Sequence, residues 1–404
     1  MKGAFVFLLL LPCLLPIQLF SQETQDFEYT IASEAFGKER KIYVHVPESY
    51  YESPDAQFAT VYVLDAQAAS FYNNAKGIVD YLVWGYQVMP MIVVGIHSDN
   101  RGTEFVPQDR SLAADNEDNT GTAHLLQKHF KEEVIPLVEE KFRVNQLRAI
   151  VGHSRGGCFV THTLFSDQNE LFDAYLAISP GLHYINNQVM NDAQQQIQEK
   201  RTFKKFYYAS VGSVGDLEHF FTPQVQRIDS LWKAHPNPSI HWESKQFEGT
   251  THWTTVAPSL AHGIVAMNRA YQPDLYLIEE FAKNDETSLA AQLETYYAQQ
   301  KKALGYLFPA DYKSLRYFGR KLAEMEKYEK AIELYDLCIA EEPNEIRTYS
   351  NKGWAYQELN KPAKAIATYE AALKILGREG AEVAVGDVEK WKTYFNKEIN
   401  KLKE

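Results

Sequence analysis

Cysteine is scarce in this 404-residue chain, which holds only Cys13, Cys158 and Cys338. No disulfide framework can be built on three residues so placed, and no paired C-x-x-C or H-E-x-x-H offers a zinc site. A Gly-rich phosphate loop is also missing, so neither a metal nor any other cofactor is expected. Asp and Glu (53) outnumber Lys and Arg (41), giving a formal net charge of -12. No basic run is long enough to follow a phosphate backbone, so nucleic acid is not an expected partner. Beyond residue 22 no apolar stretch approaches the length of a bilayer span, and no membrane span is expected in the mature chain.

What the chain does hold is an apolar share of 45% against 23% charged residues, the balance of folded domains. Its length fits two or three of them. Residues 1–22 join Lys2, an apolar stretch broken by Pro12 and Pro16, and the small and polar pair Ser21 and Gln22. That is the pattern of a cleaved signal peptide, and it predicts an exported protein, periplasmic or secreted. Pro12 before Cys13, and the apolar residues after it, argue against lipidation at that cysteine. Cys158 and Cys338 lie in different regions and are not expected to pair. Cys158 is expected to pack inside a buried helix rather than to act as a catalytic thiol.

From Asp26 onward, alternation over 27–33 and 40–47, with a turn at 36–39, predicts two antiparallel strands. The runs at 60–64, 91–96, 148–151, 174–178 and 206–211 are nearly continuous apolar stretches, as strands covered on both faces must be. A more polar eighth run occupies 240–247. Helical patterns separate most of these strands, notably at 123–141, 158–165 and 257–267. Strand and helix in alternation predict the α/β class: a mostly parallel eight-stranded sheet with helices on both faces, spanning 23–274.

After Pro273 the texture turns to helix formers. Gly319, Ala331, Tyr335 and Cys338 recur as Gly353, Ala365, Tyr369 and Ala372, each 34 residues on, which is the tetratricopeptide period. Tyr356 and Pro343 fall where that motif wants an aromatic residue and a helix-ending proline. Residues 312–377 are read as two such repeats, with a helical connector at 275–311 and a C-terminal helical tail at 378–404. Stacks of this kind need about three units. Helices within 275–307 or 388–402 are therefore expected to supply the missing packing surface.

The chemistry concentrates at Gly152-His153-Ser154-Arg155-Gly156, between the fifth apolar run and a helical segment. In that context G-x-S-x-G is a nucleophile elbow, in which glycines flank a turn too sharp for bulk. The turn lifts the Ser154 hydroxyl above the sheet and leaves the Arg155 N–H facing a developing oxyanion. A serine hydroxyl is a poor nucleophile without a base, and the base needs an acid to hold it. In the α/β-hydrolase arrangement the chain order is serine, acid, histidine. His252 lies on the loop after the last strand, whereas His241 falls inside that strand and His262 inside the next helix. Glu218 and Asp216 both follow the strand at 206–211, where the acid should stand. The second oxyanion donor is expected from the loop after the third strand, at the backbone of Gln67, with Ala66 next.

Residues 26–272 resemble the esterase D and enterochelin-esterase-like serine hydrolases. The elbow at 152–157 carries the resemblance together with Val61-Tyr-Val-Leu-Asp65, Asn100-Arg101, Glu104, Pro107, Glu132-Glu-Val-Ile-Pro136 and Ser179-Pro180. It implies an α/β-hydrolase fold, a carboxylic ester as substrate and Glu218 in preference to Asp216 as the acid. Such families act on siderophore, feruloyl and acetyl-xylan esters and on S-formylglutathione, and some are mycolyltransferases. One departure stands out, since Ala66 occupies the place where the family usually has glycine.

Substrate contacts are expected from His183 and Tyr184, after Ser179-Pro180, and from Trp253 beside the base. Arg101 reads as half of a structural ion pair. The polar run 188–198 reads as either a helical lid or an exposed helix. The expected partners are a small-molecule or carbohydrate-linked ester and, for the repeats, another protein. Two further readings use the same residues: a silent hydrolase scaffold serving a repeat-based binding module, and an acyltransferase in which an alcohol outcompetes water.

Overall fold

The computed structural model describes residues 25–52, 54–113, 116–305, 310–377 and 388–404; the expected signal peptide at 1–22 lies outside them. Eight strands, β1 (Asp26–Ser33), β2 (Lys38–His45), β3 (Phe58–Val63), β4 (Met91–Ile96), β5 (Val144–His153), β6 (Ala174–Ile178), β7 (Lys205–Val211) and β8 (Ile240–Gln246), form one sheet. Their spatial order is β1-β2-β4-β3-β5-β6-β7-β8. Only the β1–β2 and β2–β4 pairings are antiparallel. The rest run parallel, as the apolar runs require. β3, β4 and β7 are buried at every residue.

The helices of this region are α1 (Ser49–Glu52), α2 (Ala69–Trp84), α3 (Arg101–Glu104), α4 (Ala123–His129), α5 (Ile135–Lys141), α6 (Arg155–Leu164), α7 (Tyr184–Gln198), α8 (Asp216–Ala234) and α9 (Val256–Tyr271). A π turn at Phe130–Val134 joins α4 to α5. Pro136 explains the slip, because it has no N–H to donate back to Glu132 and the wider turn absorbs the gap. One apolar cluster, including Phe130, Phe159 and Phe172, fills one face of the sheet. A second, under α2 and α9, fills the other.

The stretch at 188–198 is neither a lid nor an exposed helix. Val189, Met190, Ala193 and Ile197 recur on one side of α7 and are buried in the first cluster, so its Asn and Gln residues are only the outer face. Cys158 lies fully buried in α6, and burial pushes its thiol up to about 12, far from the thiolate that catalysis needs.

Seven helices follow: α10 (Leu275–Phe281), α11 (Leu289–Leu304), α12 (Tyr312–Glu324), α13 (Tyr328–Glu341), α14 (Ile346–Glu358), α15 (Pro362–Leu376) and α16 (Val388–Lys403). The 34-residue repeat has a direct steric reason. A Cβ on Gly319 would lie 2.5 Å from the Tyr335 ring, and one on Gly353 only 2.0 Å from Tyr369. Each glycine admits the tyrosine of its partner helix. Ile278, Leu289 and Leu293 of α10 and α11 join the core of the first hairpin. Phe395 and Ile399 of α16 close the second. The helical region meets the sheet region through Leu304 in the second cluster, the Tyr296 hydroxyl donating to Arg269 O (2.7 Å), and stacked Tyr86 and Tyr317. Among the described residues no helix is long and apolar enough to cross a membrane.

Candidate active site

β5 delivers Ser154 directly into the first turn of α6, at φ 60° and ψ -113°. A non-glycine residue there costs roughly 1–3 kcal/mol, so its surroundings must impose the conformation. Ser154 N–H donates to Ile178 O (2.9 Å), while Ser154 O accepts from Cys158 N (3.0 Å) and Gly181 N (3.1 Å). The two motif glycines are unequal. A Cβ on Gly152 would sit 2.4 Å from the Gly156 backbone, whereas one on Gly156 would meet nothing closer than 3.6 Å. We expect Gly152→Ala to yield little soluble protein, while Gly156→Ala melts within a few degrees of wild type. A thermal melt of both variants checks this asymmetry.

The loops after β7 and β8 are joined backbone to backbone. Ser213 and Val214 N–H both donate to Thr250 O (2.9 and 3.0 Å), and Gly249 N–H donates to the Ser213 hydroxyl (2.8 Å). A Cβ on Gly212 would strike Thr250 O at 2.4 Å, so only glycine permits this approach. The result sets His252 Nδ1 2.7 Å from Glu218 Oε1. Glu218 is fully buried, and its other oxygen accepts from Gly212 N–H. With both oxygens held, the carboxylate orients the imidazole and leaves Nε2 as the outward nitrogen. Asp216 opens α8 on an exposed position and is not brought to His252. The His252 ring lies 4.3 Å from that of His153, the residue before Ser154.

On the other flank, Ala66 N–H donates to Ile96 O (3.0 Å) and Ala68 N–H to Asp65 O (2.9 Å). Between them the Gln67 amide has no backbone acceptor among the described residues, whereas Ala66 is already committed. The Gln67 side chain donates to Asp65 Oδ1 (2.7 Å) and accepts from Ser98 N (2.9 Å), which fixes the loop. The alanine at 66 fits because β4 carries glycine beside it: a Cβ on Gly95 would approach the Ala66 methyl to 2.9 Å.

Arg101 grips Asp65 with Nε–Oδ1 at 2.8 Å and Nη2–Oδ2 at 3.0 Å, as the ion-pair reading expects. Behind it Arg40, 1% exposed, spans both oxygens of Glu104 (2.7 and 2.8 Å). Burial raises the Glu104 carboxyl, but the Arg40 hydrogen bonds and charge outweigh it, and the net shift is downward. A depressed carboxyl adds stability above the ordinary carboxylate range and loses it as pH falls through the folded value. Glu104→Gln should therefore cost about 3 kcal/mol at neutral pH, the low end for breaking a buried pair, because Asp99 still holds Arg40. Urea titrations should show the gap to wild type closing below roughly pH 4.

Aromatic rings surround the proposed base. Trp253, 73% exposed, has its ring 5.5 Å from His252 and 5.7 Å from His153. The Phe221 ring lies 5.0 Å from that of His252. His183 contacts Tyr184 (4.2 Å) and Phe220 (4.6 Å), and the Arg155 guanidinium lies 5.1 Å over the Tyr184 ring. All three predicted substrate contacts thus belong to one aromatic neighbourhood. Phe220 and Phe221 are absent from the sequence reading, although Phe221 stands one turn after Glu218 on α8. Phe71, stacked on His153 at 6.3 Å, had no local signal at all.

The family model described as "Putative esterase" matches residues 33–265, and a tetratricopeptide-repeat model matches 346–375. A 102-residue stretch is 36% identical to the siderophore enterobactin esterase of Emericella nidulans, covering 24% of this chain. The match spans only 33% of that curated relative's length. An IroE-like serine hydrolase from Shewanella oneidensis has the same fold at 20% identity, with a TM-score of 0.62 over 78% of this chain and 98% of that one. An uncharacterised protein from Capnocytophaga ochracea, 14% identical, gives 0.63 over 94% and 99%, so that likeness extends into the helical region. With its sheet region matched almost throughout, the chain belongs to this esterase family and joins an α/β-hydrolase fold to C-terminal tetratricopeptide repeats.

Proposed function

We propose that the protein is a serine carboxylesterase working through an acyl-enzyme on Ser154. The observation that carries the reading is the His252–Glu218 pair, 2.7 Å apart and buried, on the loop beside a strained serine elbow. His252 Nε2 takes the Ser154 proton as Oγ attacks the ester carbonyl, and the imidazolium is stabilised by Glu218. The carbonyl oxygen becomes an oxyanion facing the Arg155 and Gln67 amides. Collapse expels the alcohol, which receives the proton from His252. Water, deprotonated by His252, then attacks the acyl-enzyme, and Ser154 leaves with the proton returned to it.

The aromatic neighbourhood of Trp253, Phe221 and Tyr184 suits an ester with a planar or apolar group beside the carbonyl. Because the Emericella relative is named for enterobactin, siderophore esters head the substrate panel, followed by feruloyl and acetyl-sugar esters. Residues 1–22 support an exported location; the stack of Tyr86 on Tyr317 supports bracing of the sheet region by the repeats, with Leu304 and Tyr296 adding contacts from the connector helix α11. The full chain should hydrolyse p-nitrophenyl acetate and butyrate and release free acid from at least one panel member. Inertness toward every ester would reject the reading, and glyceryl or trehalose esters formed on adding those alcohols would convert it to acyl transfer.

A further inference from the structure

Arg155 carries a charge that no acidic group of the fold answers. Among the described residues every other arginine has a hydrogen bond or an ion pair. Arg101 holds Asp65, Arg40 holds Glu104 and Arg110 holds Asp192, and the rest are engaged in the same way. Arg155 is half-buried and has neither, although it directly follows the nucleophile. Its N–H donors, arranged in a fixed fork, therefore meet no protein acceptor there. What holds the side chain is the Tyr184 ring, 5.1 Å from the guanidinium carbon. An aromatic ring attracts a guanidinium without occupying any of its donors.

The position of that ring is imposed by its surroundings. A Cβ on Gly181 would come within 2.5 Å of the Tyr184 ring, and Gly181 N–H donates to Ser154 O (3.1 Å). Tyr184 thus packs on the turn that is bonded to the nucleophile. Beyond it the chain passes through Ile185, Asn186 and Asn187 at φ 52°, 52° and 61°. A β-branched isoleucine avoids the left-handed region, so packing of the segment and not local preference sets this course. His183 lies 4.2 Å from Tyr184, ring to ring. Burial lowers the His183 pKa and the Arg155 charge adds to that, so at neutral pH this ring brings no second positive charge. One guanidinium beside neutral rings matches a carboxylate monoanion better than a phosphate dianion. In a chain of net charge -12 an anionic substrate is repelled at long range and needs such a local cation.

We infer that Arg155 recognises a carboxylate on the substrate, so that the ester cleaved at Ser154 belongs to a molecule carrying a free acid on its acyl or its alcohol side. Arg155 then meets two different oxygens of one substrate. Its backbone N–H faces the oxyanion that develops during the reaction, and its guanidinium holds the charge that is present throughout. The inference rests on the esterase reading and adds a substrate class to it.

Two matched pairs of esters test it with the full chain. Monomethyl terephthalate beside methyl 4-carbamoylbenzoate puts the carboxylate, or its neutral amide, on the acyl side. The pair 4-acetoxybenzoate and 4-acetoxybenzamide puts it on the alcohol side. In at least one pair kcat/KM, taken relative to the rate with hydroxide, should be about tenfold or more higher for the acid. The preference should shrink as salt rises from about 0.05 to 0.5 M, and the pair that shows it identifies the side. Arg155→Met should lower the acid-to-amide ratio of that pair about tenfold, while Arg155→Lys, which keeps the charge and loses the fork, should retain part of it. Because the ratio is read within each variant, any disturbance of the Arg155 amide or of folding cancels. Equal efficiency for acid and amide in both pairs, or an acid preference untouched by Arg155→Met, would overturn the inference and leave the esterase reading standing. Cleavage of p-nitrophenyl butyrate with all four test esters inert would do the same. If p-nitrophenyl esters are inert as well, the esterase reading fails and this inference falls with it.

Discussion

Ser154→Ala should lower kcat on p-nitrophenyl butyrate by about 10⁴-fold or more, with the melting temperature unchanged or slightly raised. The loss is large because no other group can form the acyl-enzyme, and what remains is the modest rate supplied by the oxyanion amides and binding. The expected stability follows from the backbone. Ser154 sits at φ 60°, held by hydrogen bonds of its own N–H and C=O that an alanine keeps. Among the described residues its hydroxyl has no hydrogen-bond partner. Steady-state kinetics and a thermal melt on the same preparation separate the lost chemistry from misfolding.

Glu218→Gln should lower kcat by about 10³- to 10⁴-fold with KM little changed, whereas Asp216→Asn should be nearly silent. The large effect has a specific cause. Glu218 Oε2 accepts from the Gly212 N–H, inside a region with no exposed part of the side chain. A glutamine must give its one oxygen to that amide, since leaving a buried N–H without a partner costs about 1–3 kcal/mol. Its NH₂ group then faces His252 Nδ1, which has to accept. The imidazole proton is thereby moved to Nε2, the nitrogen that should take the proton of Ser154, so the base begins in the wrong tautomer. KM holds because Glu218 is fully buried, with its oxygens taken by His252 and Gly212, and has no exposed part to meet substrate.

The choice between those two acids shows where sequence stopped being legible. Both follow the seventh strand, and residues two apart on a helix point about 200° from each other, so only one can face the loop of His252. Which one depends on where α8 begins. Its start, after Gly215 at φ 92°, follows from the close approach of Gly212 to Thr250, a contact between residues 38 positions apart. The strands were readable because runs such as Met91–Ile96 are apolar throughout, and there the bounds agree to the residue. β5 was readable only at its centre. It extends outward through polar Asn145 and Gln146 and onward to Gly152 and His153, positions that strand pairing fixes and local composition does not. The repeats were legible for a steric reason, since each glycine must admit a tyrosine ring. α7 misled by composition, its apolar stripe hidden among Asn and Gln. The Asp65–Arg101 clamp and the stack of Phe71 on His153 join distant loops, and only the fold brings them together.

The most direct test is covalent. A fluorophosphonate should modify the folded full chain once, on the peptide carrying Ser154, with labelling abolished by Ser154→Ala and strongly slowed by His252→Ala. Labelling at another serine, or ester turnover that persists undiminished in Ser154→Ala, would contradict the account.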